Sequence, residues 1–250
     1  MKGIILAGGA GTRLHPITYV AGKSLMPVYN KPMIFYPLSL LLEAGIEEIL
    51  IISTPEDVPK LSILLDRYNI NLSYAVQFKP QGIAEAFLIG ENFVKGDDVT
   101  MILGDNIFYG GLDLKGAVEN FNGGAQIFGI EVKDPERYGI IEIDGGRVIS
   151  IEEKPKKPRS NLAVPGLYLY DNQVAAFTRE LSPSGRGELE ITDLNKSYLW
   201  NEQLIAERLP RGVTWFDCGT HDSLLEAAQF VQAVEKRTGR SFGGLEEYSQ

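Results

Sequence analysis

Gly8, Gly9 and Gly11, followed by Thr12 and Arg13, are the first residues of the chain whose types and spacing suggest chemistry. Three glycines within four positions remove Cβ atoms, so the backbone can turn sharply and bring its N–H groups against an anion. Arg13 adds a planar fork of donors suited to phosphate oxygens, and Lys23 adds a compact second cation. Such a set can hold a phosphate chain and offset its charge. A glycine turn flanked by solvated cations is the alternative these residues alone leave open. Two other glycine patterns fail. A G-x-G-x-x-G fingerprint started at Gly9 and Gly11 meets Leu14 where its last glycine belongs, which argues against a nicotinamide-binding oxidoreductase. Gly22, Lys23 and Ser24 end like a Walker A loop, but Ile17 stands where its first glycine is required.

Carboxylates form the second group. Asp105 follows the apolar run Val99–Leu103 through Gly104, and Asp217 follows Trp215 and Phe216 ahead of Gly219. Both sit at the ends of expected strands, where open α/β sheets bind ligands, and each alone also fits a turn residue. Gln77 closes another strand-like run, and Glu153 and Lys154 lie in a charged stretch that composition alone reads as solvated surface. His15 stands beside the glycine turn, His221 near the start of the last helix, and Cys218 reads as a small buried residue.

The elements that must position these residues follow from periodicity. Gly3–Ala7, Ile46–Ser53, Leu72–Val76 and Val99–Leu103 read as strands, alternating with helical patterns over 31–44, 56–68 and 82–93. That β-α-β-α order predicts an α/β fold with a Rossmann-like, mostly parallel central sheet and helices on both faces. Residues 16–32 read as a connector folded over the glycine turn. Beyond a short helix over 114–121, strand-like runs at 125–132, 139–143, 148–153 and 167–170 predict a small antiparallel ribbon added to the sheet. Helices are expected over 174–180, 191–200 and 223–237, and late strands over 204–209 and 213–216. The expected organisation is one domain over 1–238, with halves 1–121 and 122–238 and a tail over 239–250 that has little to pack.

Composition narrows the partners. A formal net charge of −9 argues against a nucleic-acid or anionic-membrane surface, so an anionic ligand must be held by a few placed cations. The single cysteine excludes an internal disulfide framework, and two histidines exclude a His-rich metal site. Met1–Ala7 is too short for a signal-peptide core and no apolar run is long enough to span a bilayer, so a cytoplasmic location is expected.

Taken in order, LAGGAGTRLHP, GKSLMPVYNKPMIFYPL, VQFKPQGIAEAF, LGDNIFYG, YGIIEID, IEEKP and WFDCGT resemble the sugar-phosphate nucleotidylyltransferases, in particular the thymidylyltransferase branch, from residue 1 to about 230. The resemblance implies a fold of the nucleotide-diphospho-sugar transferase type. It also implies attack of a glucose 1-phosphate oxygen on the α-phosphorus of dTTP, giving dTDP-glucose and pyrophosphate. Leu6, Gly8, Gly9, Gly11 and Thr12 are then expected at the nucleotide, with Arg13 and Lys23 on the triphosphate, Gln77 on the thymine edge and Gly82 giving the base room. Asp105 and Asp217 are implied to share Mg2+, while Tyr138, Gly139, Glu153, Lys154 and Val164 are implied to hold the sugar phosphate. Catalytic roles fall to Arg13, Lys23, Asp105, Lys154 and Asp217, and a homodimer or homotetramer is expected. The same reaction with UTP or another sugar 1-phosphate, or a non-catalytic nucleotide-sugar sensor, are the competing readings.

Three departures bear on specificity. Ser24 stands where the branch has glutamine, and Pro165 where it has threonine. Longer relatives continue past the last helix into a second, regulatory nucleotide-sugar site, so feedback through such a site is expected to be weak or absent here.

Overall fold

The computed structural model describes residues 1–249. The first half of the chain forms β1 (Lys2–Leu6), β2 (Pro27–Val28), β3 (Lys31–Pro32), α1 (Phe35–Glu43), β4 (Glu48–Ser53), α2 (Val58–Leu65), β5 (Asn71–Val76), α3 (Glu85–Ile89), α4 (Glu91–Val94), β6 (Val99–Leu103), β7 (Asn106–Tyr109) and α5 (Leu114–Glu119). The second half forms β8 (Ala125–Glu131), β9 (Gly139–Asp144), β10 (Arg147–Glu153), β11 (Leu162–Ala163), β12 (Leu167–Tyr170), α6 (Val174–Arg179), α7 (Ile191–Trp200), β13 (Leu204–Arg208), β14 (Thr214–Asp217) and α8 (His221–Thr238).

Strands β5, β4, β1 and β6 lie side by side and parallel. Successive side chains of β1 point to opposite faces, so Ile4 packs with Phe87, Met101 and Tyr170, while Ile5 packs with Leu38, Ile51 and Ile102. Burial on both faces is why β1, β4 and β6 read as largely apolar runs, whereas the edge strand β5 alternates and is only partly covered. Beyond β6 the sheet is mixed: β12 is antiparallel to both β6 and β8, and β13 is parallel to β8. The β9–β10 ribbon expected from the turn at Asp144–Gly146 continues the sheet through β11. The expected α/β fold, with helices on both faces and a small antiparallel ribbon, is the one observed.

The strand expected over 213–216 is β14, whereas its partner β7 escapes periodicity. β7 and β14 pair antiparallel outside the main sheet, placing Asn106 opposite Asp217. The pattern over 82–93 divides at Gly90 into α3 and α4, and the close approach there favours glycine, since a Cβ would stand 3.1 Å from the Ala86 carbonyl oxygen, an Ile4 methyl and a Leu50 methyl. The segment after Thr238 packs more than its composition suggests. Gly239 turns the chain back in the left-handed region, Leu245 is buried, and the Phe242 ring meets Tyr36 and Tyr109. Gln250, the end of the expected tail, lies outside the described residues. Among the described residues, no helix is long and apolar enough to cross a membrane.

Candidate active site

Strand order reverses between β1 and β6, since the chain leaves β1 toward β4 and returns on its other side as β6. A crevice forms outside the carboxyl ends of strands at such a switch point. The glycine turn leaves β1 there, and Gly104–Asp105 leaves β6, with the Gly104 N–H donating to the Leu6 carbonyl. A cavity of about 360 Å³ opens at this point. Leu6, Gly8, Gly9, Arg13, Lys23, Gln77, Gly82 and Asp105 line it from the first half, and Tyr138, Gly139, Glu153, Lys154, Val164 and Asp217 from the second. Gly11 and Thr12 do not line it. Gly11, at φ 57°, starts the turn Thr12–Leu14 and accepts a bond from the Thr18 hydroxyl, so this pair shapes the turn that delivers Arg13.

The buried Asp105 carboxylate meets the Lys23 ammonium and accepts a 2.9 Å bond from the Asn106 amide. Burial pushes its pKa up, but the charge and hydrogen bond of Lys23, with help from Asn106, hold it below the ordinary range. Asn106 is a junction, because its carbonyl oxygen accepts from the Gly166 N–H at 2.9 Å and the Trp215 indole at 2.6 Å. Asp217, two residues beyond Trp215, accepts no side-chain hydrogen bond or ion pair among the described residues. Its pKa is raised by burial and by the charge of Asp105, against Lys23, Arg13 and Arg137. Arg13 approaches it over Gly219, where a Cβ would stand 2.4 Å from the guanidinium and 3.0 Å from the Asp217 carboxylate. Two carboxylates opening on one cavity, one without a protein donor, fit a hard cation that keeps waters and phosphate oxygens as its other ligands. Among the described residues there is no group of three or more His, Cys, Asp or Glu placed to hold a metal.

Gln77 is buried, and its amide donates to Glu85 at 2.7 Å and to the Gly82 carbonyl at 3.4 Å. Gly82 is required by chain packing: a Cβ there would stand 2.3 Å from the Leu189 carbonyl oxygen. On the opposite wall, the β9–β10 ladder sets Gly139 against Glu153. The Lys154 N–H donates to Tyr138, with Lys154 in the left-handed region at φ 43°, a strained placement for a side-chain-bearing residue. Glu153 accepts from the Thr192 hydroxyl at 2.6 Å and stands 3.3 Å from the Lys154 ammonium and 3.7 Å from Arg186. Arg186, Thr192, Asn106, Tyr168 and Trp215 line the cavity without having been foreseen there. The signal for Arg186 was its position between Gly185 and Gly187, ahead of Glu188 and Glu190. His15 stays outside the cavity, bonded to Thr18 and stacked on Tyr19. Cys218 is buried, and burial with the charges of Asp105 and Asp217 pushes its thiol well up, so it is no nucleophile.

A family model described as "Nucleotidyl transferase" matches residues 2–234. The chain belongs to the nucleotidyl transferase family. Among curated relatives, the glucose-1-phosphate thymidylyltransferase of Neisseria meningitidis serogroup A is 52% identical over 254 residues, covering 99% of this chain and 88% of the relative. That of Xanthomonas campestris pv. campestris is 53% identical, covering 95% and 83%. A solved candidate glucose-1-phosphate thymidylyltransferase from Bacillus anthracis, in complex with a sucrose, superposes with a TM-score of 0.86 at 44% identity over 92% of this chain and 94% of that one. A UDP-glucose pyrophosphorylase complexed with UDP-glucose superposes at 0.82 with 25% identity, covering 94% and 98%. In this nucleotidyl transferase the Ser24 hydroxyl is turned to the Ala7 carbonyl, at 3.4 Å. Pro165 lies between two cavity residues, Val164 and Gly166.

Proposed function

We propose that the cavity joins dTTP to α-D-glucose 1-phosphate, giving dTDP-glucose and pyrophosphate. The observation that carries this reading is the single cavity with Arg13 and Lys23 on one wall, Lys154 on the other and Asp105 with Asp217 between the halves. The names of relatives that match nearly the whole chain support the substrate pair. A sugar-phosphate oxygen attacks the α-phosphorus in line, the α–β bridging bond breaks, and pyrophosphate leaves, so no covalent intermediate on the chain is needed. The work left to the protein is positioning and charge neutralisation. Gly8 and Gly9 let the backbone approach the phosphates, Arg13 and Lys23 oppose the charge gathering on pyrophosphate, and Gln77, oriented by Glu85, offers its amide to the base edge. Lys154 holds the sugar's phosphate while Glu153, Gly139 and Val164 meet its hydroxyls. Asp105 and Asp217 would hold Mg2+, which supplies a further positive charge to the reacting phosphates when bound.

The proposal extends to a nucleotide half over 1–121, a sugar half over 122–238, a cytoplasmic location and a homodimer or homotetramer. A second reading, the same reaction with UTP, is favoured by the likeness to UDP-glucose pyrophosphorylase. Thymine and uracil differ by one methyl group, worth about 1–3 kcal/mol in a pocket. Pyrophosphate release over a matrix of five nucleoside triphosphates and several sugar 1-phosphates separates the two. Fastest release with dTTP and glucose 1-phosphate, lost in Asp105→Ala, supports the proposal; release only with another pair moves the specificity, and none with any pair rejects catalysis.

A further inference from the structure

We infer that Asp57, outside the cavity, is a positioning residue for Lys23 and hence for the triphosphate, an inference that rests on the function proposed above. Asp57 occupies the N-cap position of α2, where an aspartate ordinarily accepts a bond from the first turn of its own helix. It makes no such bond. Its buried carboxylate instead accepts from the Gly22 N–H at 3.2 Å and from the Lys60 ammonium at 2.9 Å. Gly22 has φ −59° and ψ 154°, a conformation open to any residue. Close packing is what demands glycine there, since a Cβ at Gly22 would stand 1.7 Å from Asp57 Oδ2.

The next residue is Lys23. Gly22 caps the turn Lys23–Leu25, accepting from the Leu25 N–H at 3.0 Å, so fixing Gly22 fixes the start of the turn that aims the Lys23 ammonium at Asp105. The connector just before it carries Tyr19 and Val20 on the surface and contributes no fully buried apolar side chain between Pro16 and Gly22. Asp57 gives up its own helix cap and tethers that connector from 35 positions away.

The test is calorimetric titration of dTTP, with steady-state kinetics in both substrates, on Asp57→Asn, Asp57→Ala and Asp57→Ser. Asparagine keeps the acceptor oxygen and is expected to stay close to wild type. Alanine is expected to weaken dTTP binding about tenfold, the effect of losing a hydrogen bond to a charged group, with the KM for glucose 1-phosphate unchanged. Serine can cap α2 but is too short to reach Gly22, so it is expected to restore thermal stability without restoring dTTP affinity. It keeps the test readable if alanine fails to fold. On a Lys23→Ala background, Asp57→Ser should add no further loss, because a residue acting only through Lys23 is not additive with it. The inference is overturned if serine restores dTTP affinity together with stability, if both substrates weaken alike, or if the losses add fully. Wild-type protein that binds no dTTP overturns the functional reading and this inference together; tight dTTP binding with an unaffected Asp57→Ser variant overturns this inference alone.

Discussion

Lys23 and Asp105 form an ion pair at the cavity wall, while Asp217 has no such partner among the described residues. Replacing the lysine leaves two carboxylates facing one space. Lys23→Met is therefore expected to bind Mn2+ in the absence of nucleotide more tightly than wild type, read by loss of the free-ion electron paramagnetic resonance signal. Equal affinity in both proteins would remove Lys23 from the metal site. Cys218 makes a second residue-scale prediction. With its thiol pushed up by burial and then by two neighbouring carboxylates, it should resist iodoacetamide at about pH 8 in the native chain and react once unfolded. Local residue types marked Arg13, Lys23, Asp105 and Asp217 as candidates after a strand or turn, the family resemblance joined them into one expected site, and all four line the cavity. Thr192 was not legible in this way, because Glu153 gathers it from another part of the chain, and for Arg186 the flanking glycines marked a loop but not the contact with Glu153.

At the scale of elements, caps and close approaches carry the argument. Thr220 and Ser223 form a reciprocal cap at the start of α8, the helix that follows the Asp217 strand. Thr220→Ala should cost about 1 kcal/mol, seen as a melting temperature lower by about 2–4 °C. Gly82 lies under the Leu189 carbonyl, and the Leu189 N–H in turn donates to Gln81 at 2.7 Å. Gly82→Ala should push the Arg186 segment away and raise the KM for the sugar phosphate, checked by varying each substrate in turn; an unchanged KM would separate the loop from the sugar wall. The parallel half was readable because β1, β4 and β6, buried on both faces, give largely apolar runs, and the edge strand β5 alternates. β7 was not, because a four-residue strand outside the main sheet carries too few positions for a period to show.

At the scale of the whole molecule, Glu235 ties the last helix to the β2–β3 hairpin and to the segment that follows the helix. Its carboxylate accepts from Lys31 at 2.6 Å, from Asn30 at 2.8 Å and from the Phe242 N–H at 2.9 Å. Burial raises its pKa, but these bonds outweigh burial and hold it below the ordinary range. A carboxylate depressed in the folded state adds stability above its unfolded pKa of about 4.3, and that stability is lost as pH falls through the lower folded value. Urea midpoints of wild type and Glu235→Gln should therefore differ near neutral pH and converge as pH falls below about 4; a constant gap would deny the linkage.

The pairing of β14 with β7 also has a consequence in time. Asp105 and Asp217 enter the cavity from strands made far apart during synthesis. At about 5–20 residues per second, the roughly one hundred residues between those strands leave the ribosome over about 5–20 s. Throughout that interval the nascent chain presents the β7 edge, carrying Ile107 and Phe108, without its partner. An unpaired apolar edge is open to aggregation and chaperone capture in those seconds, and a message truncated before β14 yields a chain that holds one carboxylate of the pair and an open edge.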